Sequence, residues 1–525
     1  MSRISRRSLH GWALSSAAAW SAGIPRVHGW GLGSSSTPLI THGVMAGEVT
    51  DGSAVIWSRC DQPARMMVEV QIEGKDRPML FTGPQVTAET DFTGKVVIDG
   101  LRHGEGDYRV WFVGPDGKPG DSVPGQLIGV ENEKGDVMFA WSGDTVGQGF
   151  GINSEWGGLK IYDAIRRLKP DFFVHCGDMI YADNPIPSEI KLADGTIWKN
   201  LTTQAKDHVA VTLDDFRGNY AYNLLDENLR RFHAAVPQYV LWDDHETTNN
   251  WYPQQQLASR KDRQFYEEVQ FGHQLAARSR EAFFNYTPLS YSQQNQQRIY
   301  RKISRGNKLD LFLLDLRSYR GPNSPNLQKE SSSAAAILGA TQLAWLKKQL
   351  QASTALWKII CCDMPLGLVI PDAMEGAAWQ EGVSNAEHGP PLGREHEFAE
   401  LLRFIKTAGV KNIIWLTADV HYAAAHYYDP SRSALPGQFE PFWEFVAGPL
   451  HAGTFGPNEL DGTFGPEVKF QWAPDKALPR PVPPSAGMQS FGTIKMNGRS
   501  GGLTVTLRDL TGKGIPGGEF ELTPE

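Results

Sequence analysis

Residues 173–181 read FVHCGDMIY, an apolar run that ends in an aspartate and, three residues later, a tyrosine. Residues 416–421, LTADVH, repeat the pattern near the other end of the chain, with an aspartate followed by a histidine. Short apolar runs of this kind are typical of buried strands, and ligand sites of open α/β sheets lie outside the carboxyl ends of the strands. The two stretches therefore predict strands that deliver metal ligands to one edge of a sheet.

Two further segments carry the same signature. Residues 139–144, FAWSGD, end in Asp144 within a glycine-rich loop. Residues 239–246, YVLWDDHE, end in three acids and an imidazole, and Asn249 and Asn250 follow. A single Asp or Asn at a strand end is commonly a turn former or a helix cap. Consecutive charged residues after an apolar strand would be costly in a core without a cation, so the four ends together predict a shared metal site.

The donor set of this site is rich in oxygen and poor in histidine. It contains neither the cysteine clusters of structural zinc sites nor the His-Glu-x-x-His helix of metalloproteases. A phenolate with carboxylates suits Fe(III), whereas carboxylate and amide oxygens suit Ca²⁺ or Mn²⁺. A bridged pair of ions can clamp a phosphoryl group for in-line attack by water. The sequence therefore predicts a metal-dependent hydrolase.

The pattern of strands and helices changes once along the chain. Residues 37–130 alternate short strands with turns, which predicts a small β-sandwich-like domain, and residues 131–135 form a polar hinge. From 136 to 525, apolar strands alternate with helical patterns, which predicts a layered α/β domain with helices on both sides of the sheet. Helices are predicted near 157–168, 214–235, 342–350 and 395–406, and a terminal hairpin at 488–525 completes a sheet edge.

The first 29 residues predict a signal peptide for the twin-arginine export machinery. SRRSL at 5–9 is followed by an Ala/Ser-rich apolar stretch and a cleavage-type sequence at 27–29. This predicts a periplasmic or secreted protein, and the alternative is a disordered basic tail. No stretch is long enough to span a bilayer.

Composition excludes other classes of partner. A formal net charge of −8 argues against a polyanion-binding surface, so specific nucleic-acid binding is not expected. Four cysteines, two of them adjacent, predict buried thiols rather than a disulfide framework. A monomer is the expected state.

Taken in order, these motifs resemble the alkaline phosphatase D (PhoD-like) phosphatase/phosphodiesterase family over nearly the whole mature length. The matching stretches are the twin-arginine signal and residues 42–44, 54–59, 174–181, 242–250, 314–320, 338–346 and 416–421. The resemblance implies an α/β (α+β) fold: a calcineurin-like metallophosphoesterase β-sandwich flanked by helices, behind a small N-terminal β domain. It also implies a site that pairs iron, as Fe(III), with Ca²⁺.

The family pattern assigns roles by position. Asp178 would bridge the two ions, with Tyr181 and His421 on the iron. The calcium side would be formed by Asp244, Asn250 and Asp419.

His245 and Arg317 are the candidates for contacting phosphate; the alternatives are a local hydrogen bond for the histidine and a structural ion pair for the arginine. Many relatives place a cysteine near the first strand end as an iron ligand, whereas this chain has Asp144 there. A carboxylate in place of a thiolate leaves Fe(III), Mn²⁺ or Zn²⁺ chemically acceptable at that position.

The hypothesis that follows is hydrolysis of phosphate mono- and diesters outside the cytoplasm, with a metal-bound hydroxide as the nucleophile. Two alternatives stay open: a phospholipase-D type phosphodiesterase that acts on lipids or teichoic polymers with the same site, and a non-catalytic secreted metal-binding protein. The long segments 184–206 and 372–391 are expected to set specificity.

Overall fold

The computed structural model describes residues 37–525, except 75, 102–104, 131–134, 373–375 and 377. The predicted signal peptide and most of the predicted hinge lie outside the described residues. Thr37–Glu525 groups into one unit by its contacts.

Strands outnumber helices in the described part of the chain. The strands are β1 Ile40–Gly47, β2 Ser53–Cys60, β3 Ala64–Ile72, β4 Met79–Val86, β5 Thr93–Asp99, β6 Glu105–Val113, β7 Val123–Ile128, β8 Val137–Ser142, β9 Phe172–Cys176, β10 Glu189–Lys191, β11 Ile197–Lys199, β12 Gln238–Leu241, β13 Arg301–Arg305, β14 Leu309–Leu313, β15 Trp357–Cys361, β16 Ile413–Thr417, β17 Ala423–Tyr428, β18 Phe442–Val446, β19 Pro466–Trp472, β20 Ser490–Met496, β21 Leu503–Asp509 and β22 Gly514–Leu522. The helices are α1 Lys160–Leu168, α2 Leu213–Asn223, α3 Glu227–Ala235, α4 Gly272–Tyr286, α5 Tyr291–Asn295, α6 Gly339–Ala352 and α7 Glu395–Thr407.

Two large sheets face each other at the centre of the fold. The first has the order β22-β21-β20-β8-β9-β12-β1-β2-β5, and the second has the order β13-β14-β15-β16-β18-β17-β19. In the first, β8, β9 and β12 run parallel; in the second, β14, β15, β16 and β18 do. Side chains of both sheets, such as Val174 and Leu241 against Ile359 and Leu416, share one buried apolar cluster. The parallel strands of the two sheets thus form a sandwich.

Helices cover the outer faces of this sandwich. Helices α1 to α4 pack on the first sheet around Phe173 and Val240. Helices α6 and α7 pack on the second sheet around Ile360 and Trp415. The predicted layered α/β fold, with helices on both sides, is confirmed.

The predicted helical region 214–235 is two helices rather than one. Helix α2 ends at Asn223 and α3 begins after Asp226, whose carboxylate accepts a hydrogen bond from Leu229 N at 3.0 Å and caps the new helix. The second carboxylate oxygen accepts from Leu159 N at 3.0 Å, which ties the break to the start of α1. A buried aspartate in the middle of a helical pattern therefore marks a helix start.

The N-terminal strands continue the first sheet. Strands β1, β2 and β5 lie at its edge, where β1 pairs in parallel with β12 through Gly47 and Gln238. The remaining strands β3, β4, β6 and β7 form a separate four-stranded sheet that shares an apolar core with β1, β2 and β5. Glu48 forms a buried ion pair with Arg301 of β13, with Oε1 2.5 Å from Nη2. The first sheet and the ion pair between Glu48 and Arg301 thus both connect the N-terminal segment with the rest of the chain.

The C-terminal segment extends the opposite edge of the first sheet. Strands β20, β21 and β22 form an antiparallel series that pairs with β8, so the predicted hairpin has one strand more than expected. All four cysteines are buried and unpaired, as predicted. Among the described residues, the helices are too short or too polar to cross a membrane.

Candidate metal centre

The carboxyl ends of parallel strands from both sheets meet at one end of the sandwich. Asp144 follows β8, Asp178 follows β9 and Asp244 follows β12, all in the first sheet. Asp419 and His421 follow β16 of the second sheet. The strand ends therefore bring together residues that lie as far apart in the chain as 144 and 421.

The backbone at these positions is left-handed. Five of the seven predicted ligands have positive φ: Asp144 71°, Asp178 54°, Asn250 58°, Asp419 65° and His421 60°. This region is uncommon for residues other than glycine, and such residues cluster at functional sites, where the surrounding structure holds them. The turns after the strands are therefore built to aim these side chains.

A first group of donors contains Asp144, Asp178 and His421, each with one ligand atom within 4.8 Å of the others. Tyr181 joins it, because its hydroxyl lies 2.8 Å from His421 Nε2. Nδ1 of His421 lies 2.5 Å from the carbonyl of Gly453, which can only accept a hydrogen bond. Nδ1 is therefore the protonated nitrogen, and Nε2, which faces the Tyr181 hydroxyl, is the nitrogen that can act as a metal ligand.

A second group contains Asp178, Asp244 and His245, again within 4.8 Å of one another. Asn250 belongs here, since its backbone N–H donates to Asp244 Oδ2 at 2.6 Å. Asp419 follows β16 at the same end of the sandwich, but it belongs to neither of these groups of described residues. Asp178 is the residue common to both groups and thus lies where a bridging ligand would.

The charge balance of these donors fits metal ions. Burial, reinforced by neighbouring carboxylates, raises the pKa of Asp178 and of Asp419 well above the usual range. Burial and the carboxylates of Asp178 and Asp144 likewise raise the pKa of Tyr181 well above its ordinary value. Among the described residues, the buried oxygens Oδ2 of Asp144 and Oδ1 of Asp244 have no hydrogen-bond partner. A cation would supply the missing partner and favour the charged forms.

His245 has a defined orientation at the edge of the centre. Its Nδ1 lies 2.6 Å from Asp183 Oδ1, and its ring lies over that of Tyr181 with centroids 4.2 Å apart. Burial lowers the pKa of His245, but the carboxylates of Asp183, Asp244 and Asp178 outweigh this effect and raise it well above its usual value. The side chain is 12% exposed, so a protonated imidazole is held where a substrate can reach it.

Glu246 joins the loops that follow β9 and β12. Its carboxylate accepts hydrogen bonds from the backbone N–H groups of Asp178 at 3.1 Å, Met179 at 2.6 Å and Asp243 at 2.7 Å. The sequence places Glu246 only within a dense acidic segment. In the structure it fixes the backbone from which Asp178 projects.

Arg317 is completely buried beside the second group. Its Nε lies 2.5 Å from Asp243 Oδ1 and its Nη1 donates to Glu381. Its Nη2 lies 3.9 Å from Asp244 Oδ2. These contacts are those of a structural ion pair, which is one of the two interpretations that the sequence leaves open for this residue.

Five residues that the sequence does not point to hold the predicted site residues in place, directly or through a neighbour. They are Asp183, Lys206, Asn323, Asp372 and Glu381. Asp183 lies two residues after Tyr181, which is the one local signal that could have found it. Lys206 ends a single 3-10 turn, and the other three lie in irregular segments without periodicity.

Both segments that were expected to set specificity touch the centre. Lys206, at the end of 184–206, donates from Nζ to the carbonyl of Tyr181 at 2.7 Å. Asp372, at the start of 372–391, accepts a hydrogen bond from Asn250 Nδ2 at 3.0 Å. Each segment is thus hydrogen-bonded to one predicted metal ligand, Tyr181 or Asn250.

Comparison with solved structures identifies the fold. A structure titled "Structure of PhoD" superimposes with a TM-score of 0.65 and 21% identity, over 94% of this chain and 90% of that one. A purple acid phosphatase, PPD1, from yellow lupin (Lupinus luteus) seeds superimposes with a TM-score of 0.56 and 13% identity, over 93% of this chain and 74% of that one. At these identities the similarity concerns the fold.

Sequence comparison identifies the family. Alkaline phosphatase D of Bacillus subtilis (strain 168) is 28% identical over 283 residues, which are 51% of this chain and 44% of that protein. The chain thus matches less than half the length of this curated relative. The family model of the PhoD-like phosphatase matches residues 139–507, and that of its N-terminal domain matches residues 31–114. The protein is therefore a member of the PhoD-like phosphatase family.

Proposed function

We propose that the protein hydrolyses phosphate mono- and diesters at a centre of two metal ions that share Asp178. The observation that carries the proposal is the pair of donor groups, one with Asp144 and His421 and the other with Asp244 and His245, that have Asp178 in common. Two ions a few ångströms apart are the usual arrangement for displacement at phosphorus. Membership of a phosphatase family supports the same reaction.

The donors favour different ions on the two sides. The first ion would be held by Asp144, Asp178, Tyr181 and His421, a phenolate, carboxylate and imidazole set that suits Fe(III). The second would be held by Asp178, Asp244, Asn250 and Asp419, an oxygen set that suits Ca²⁺, with Mn²⁺ or Zn²⁺ as chemically acceptable substitutes on either side. When bound, the ions neutralise phosphate oxygens and lower the pKa of water.

His245 is the group that would act directly on the substrate. Asp183 orients the ring through Nδ1 at 2.6 Å, and in the imidazolium form, which the surrounding carboxylates favour, Nε2 also carries a proton that can be donated to a phosphate oxygen or to the leaving group. Arg317 would act less directly. Its contacts with Asp243 and Glu381 favour a role in offsetting the charge of the buried carboxylates over contact with phosphate.

We also propose that the protein acts as a monomer in the periplasm or after secretion, and that residues 5–9 direct it to the twin-arginine export machinery. The support is the sequence SRRSL and the apolar stretch that follows. In the double variant Arg6→Lys and Arg7→Lys, the protein should not be exported, so that the phosphatase activity stays in the cytoplasmic fraction. Activity that still reaches the periplasm or medium would refute this route.

The reaction is tested by metal analysis combined with turnover. Protein purified without chelators should contain iron and a divalent ion by mass spectrometry, and it should hydrolyse p-nitrophenyl phosphate and bis(p-nitrophenyl) phosphate at alkaline pH. Asp178→Asn should abolish both activities while the fold is kept. Asp214→Asn, at a side chain 90% exposed, is the matched control and should be fully active. Metal-free, inactive protein that reconstitution does not rescue would overturn the proposal, and the ratio of the two rates ranks monoesters against diesters.

A further inference from the structure

The side-chain amide of Asn250 has two chemically different ends, and only one of them can bind a cation. The Oδ1 oxygen is a ligand for hard divalent ions, whereas the Nδ2 group is a hydrogen-bond donor and repels them. Asn250 lies against Asp244, to which its backbone N–H donates at 2.6 Å. For an ion held beside Asp244, the amide end that points towards the ion therefore decides whether Asn250 helps or hinders its binding.

The orientation of Asn250 is decided by Asp372. Nδ2 of Asn250 lies 3.0 Å from Asp372 Oδ1, and both side chains are buried. A carboxylate can only accept in such a contact, so the atom of Asn250 that faces Asp372 is Nδ2. Oδ1 is consequently turned away from Asp372.

The second oxygen of Asp372 is engaged by another amide whose orientation is also fixed. Oδ2 accepts from Asn323 Nδ2 at 2.7 Å. Oδ1 of Asn323 accepts from Arg320 Nη2 at 2.7 Å and from Arg394 Nη2 at 3.1 Å. Guanidinium groups can only donate, so Asn323 cannot turn over without losing both arginines. The direction of each hydrogen bond is thus determined from the arginines through Asn323 and Asp372 to Asn250.

We propose that Asp372 is a positioning residue for the second metal ion, because it holds Asn250 with its carbonyl oxygen towards the ion. The inference rests on the proposed function, since it takes Asn250 as a ligand. Residues that orient a ligand from behind commonly contribute about ten- to a hundredfold to metal affinity.

Asp372→Asn gives a specific prediction. The new amide has one oxygen where Asp372 has two, but Asn250 and Asn323 both present an NH₂ group to it. Asn323 is fixed by the two arginines, so the new oxygen faces Asn323 and the new NH₂ faces Asn250. Asn250 must then rotate and direct Nδ2 towards the ion. We expect Ca²⁺ binding to weaken about ten- to a hundredfold.

The swapped pair Asp372→Asn with Asn250→Asp should restore binding. The carboxylate introduced at position 250 accepts from the new NH₂ with one oxygen and offers the other to the ion, and the net charge of the protein is unchanged. Asn250→Asp alone should bind Ca²⁺ more weakly than the parent in spite of its added negative charge, because two carboxylates then face each other. The losses of Ca²⁺ affinity in the two single variants are thus expected to be strongly non-additive in the swapped pair.

The measurement is Ca²⁺ affinity by equilibrium dialysis of the full-length parent, both single variants and the swap, with circular dichroism and urea unfolding as checks of the fold. Weaker binding in both single variants and recovery in the swap support the inference. Parent-like affinity in Asp372→Asn, or a swap that binds no better than Asn250→Asp, overturns it. If Asp372→Asn does not fold, the comparison of the swap with Asn250→Asp decides.

The parent protein separates this inference from the proposed function. A parent that hydrolyses phosphate esters but binds no Ca²⁺ overturns the role of Asp372 and leaves the function standing. A parent without metal and without activity overturns both.

Discussion

Several side chains at the centre have one end fixed by a partner that can only accept a hydrogen bond. His421 gives Nδ1 to the carbonyl of Gly453, and His245 gives Nδ1 to Asp183. In each ring the other nitrogen is left for the centre or for the substrate. The orientation of both rings therefore follows from these partners, which contribute to the chemistry beside the donors themselves.

Removing the partner of His245 should reduce turnover without removing the metals. In Asp183→Asn the imidazole loses the carboxylate that orients it, and we expect kcat to fall by about ten- to a hundredfold or more. The change in KM and in metal content should be small. Asp207→Asn is the matched control, because Asp207 makes the same contact with His208 at 2.7 Å on the surface. Loss of metal in Asp183→Asn would contradict the assignment.

Buried His233 should make the fold sensitive to acid. Burial lowers its pKa to about 3, so the folded protein keeps it neutral while the unfolded chain takes up a proton below about pH 6.5. Stability is therefore lost as the pH falls from 6.5 towards 3. When the pH is lowered from 7.5 to 5, the unfolding free energy should fall in both proteins. The fall should be about 2 kcal/mol smaller in His233→Gln than in the parent.

Urea unfolding at the two pH values measures this difference. The control is His208→Gln at the surface, since the hydrogen bond with Asp207 raises the pKa of His208 and its protonation favours the folded state. This variant should lose at least as much stability on acidification as the parent. An equal pH dependence in His233→Gln and the parent would show that His233 is charged in the fold.

The closeness of several predicted donors could be anticipated from the sequence, whereas most of the residues that hold them could not; the roles of the donors stay a prediction. Except for Asn250, each predicted ligand lies within five residues of the end of an apolar strand, and that pattern is local. The bonds of Asp183 to His245, Glu381 to Arg317 and Asp372 to Asn250 join residues 62, 64 and 122 positions apart. Irregular segments of the chain bring such pairs together. Because these segments have no hydrophobic periodicity, the sequence does not predict the contacts.

At the level of elements, strand ends and helix starts are where polar side chains enter the core. The predicted strands were identified because apolar runs of four to six residues are typical of buried parallel strands. Helix α4, Gly272–Tyr286, was not predicted from the sequence. The break between α2 and α3 was missed as well, because Asp226 reads as one more polar residue of a helix until its two backbone partners are known.

Asp226→Ala should be strongly destabilising. It removes the cap of α3 and leaves the buried N–H of Leu159 unpaired, and we expect a loss of about 2 to 4 kcal/mol of unfolding free energy. Thr212→Ala is the control, because it removes only the exposed cap of α2, in which Thr212 Oγ1 accepts from Asp215 N at 3.2 Å, and should cost about 1 kcal/mol. Equal losses in urea unfolding would contradict the double role of Asp226.

At the scale of the whole molecule, the first sheet runs from the C-terminal strands through the metal centre into the N-terminal segment. The sequence predicts a β-rich segment at 37–130 and a second domain from 136 to 525, and this division stays a prediction. Pairing between β1 and β12 could not be foreseen, because nearly 200 residues separate Gly47 from Gln238. The ion pair between Glu48 and Arg301 spans 253 positions and was equally hidden.

Residues 136–525 expressed alone should fail to fold into soluble enzyme. Without the N-terminal segment, β12 becomes an open edge and Arg301 keeps a buried charge without its partner, which typically costs about 3 to 5 kcal/mol. Solubility and hydrolysis of p-nitrophenyl phosphate measure the effect. Co-expression of residues 37–130 is the control and should recover soluble protein. A soluble, active fragment would show that the N-terminal strands are dispensable.

The presence of Asp144 rather than a cysteine after β8 affects the sensitivity of the protein to oxidants. The seven predicted donors offer carboxylate, phenolate, amide and imidazole atoms, and none of them offers sulfur. All four cysteines are buried, and none belongs to either donor group of the described residues. Peroxide attacks exposed thiolates first, and a centre built on oxygen and nitrogen has none to lose. If the seven predicted donors hold the ions, the atoms that bind them include no thiolate that aerated surroundings could oxidise.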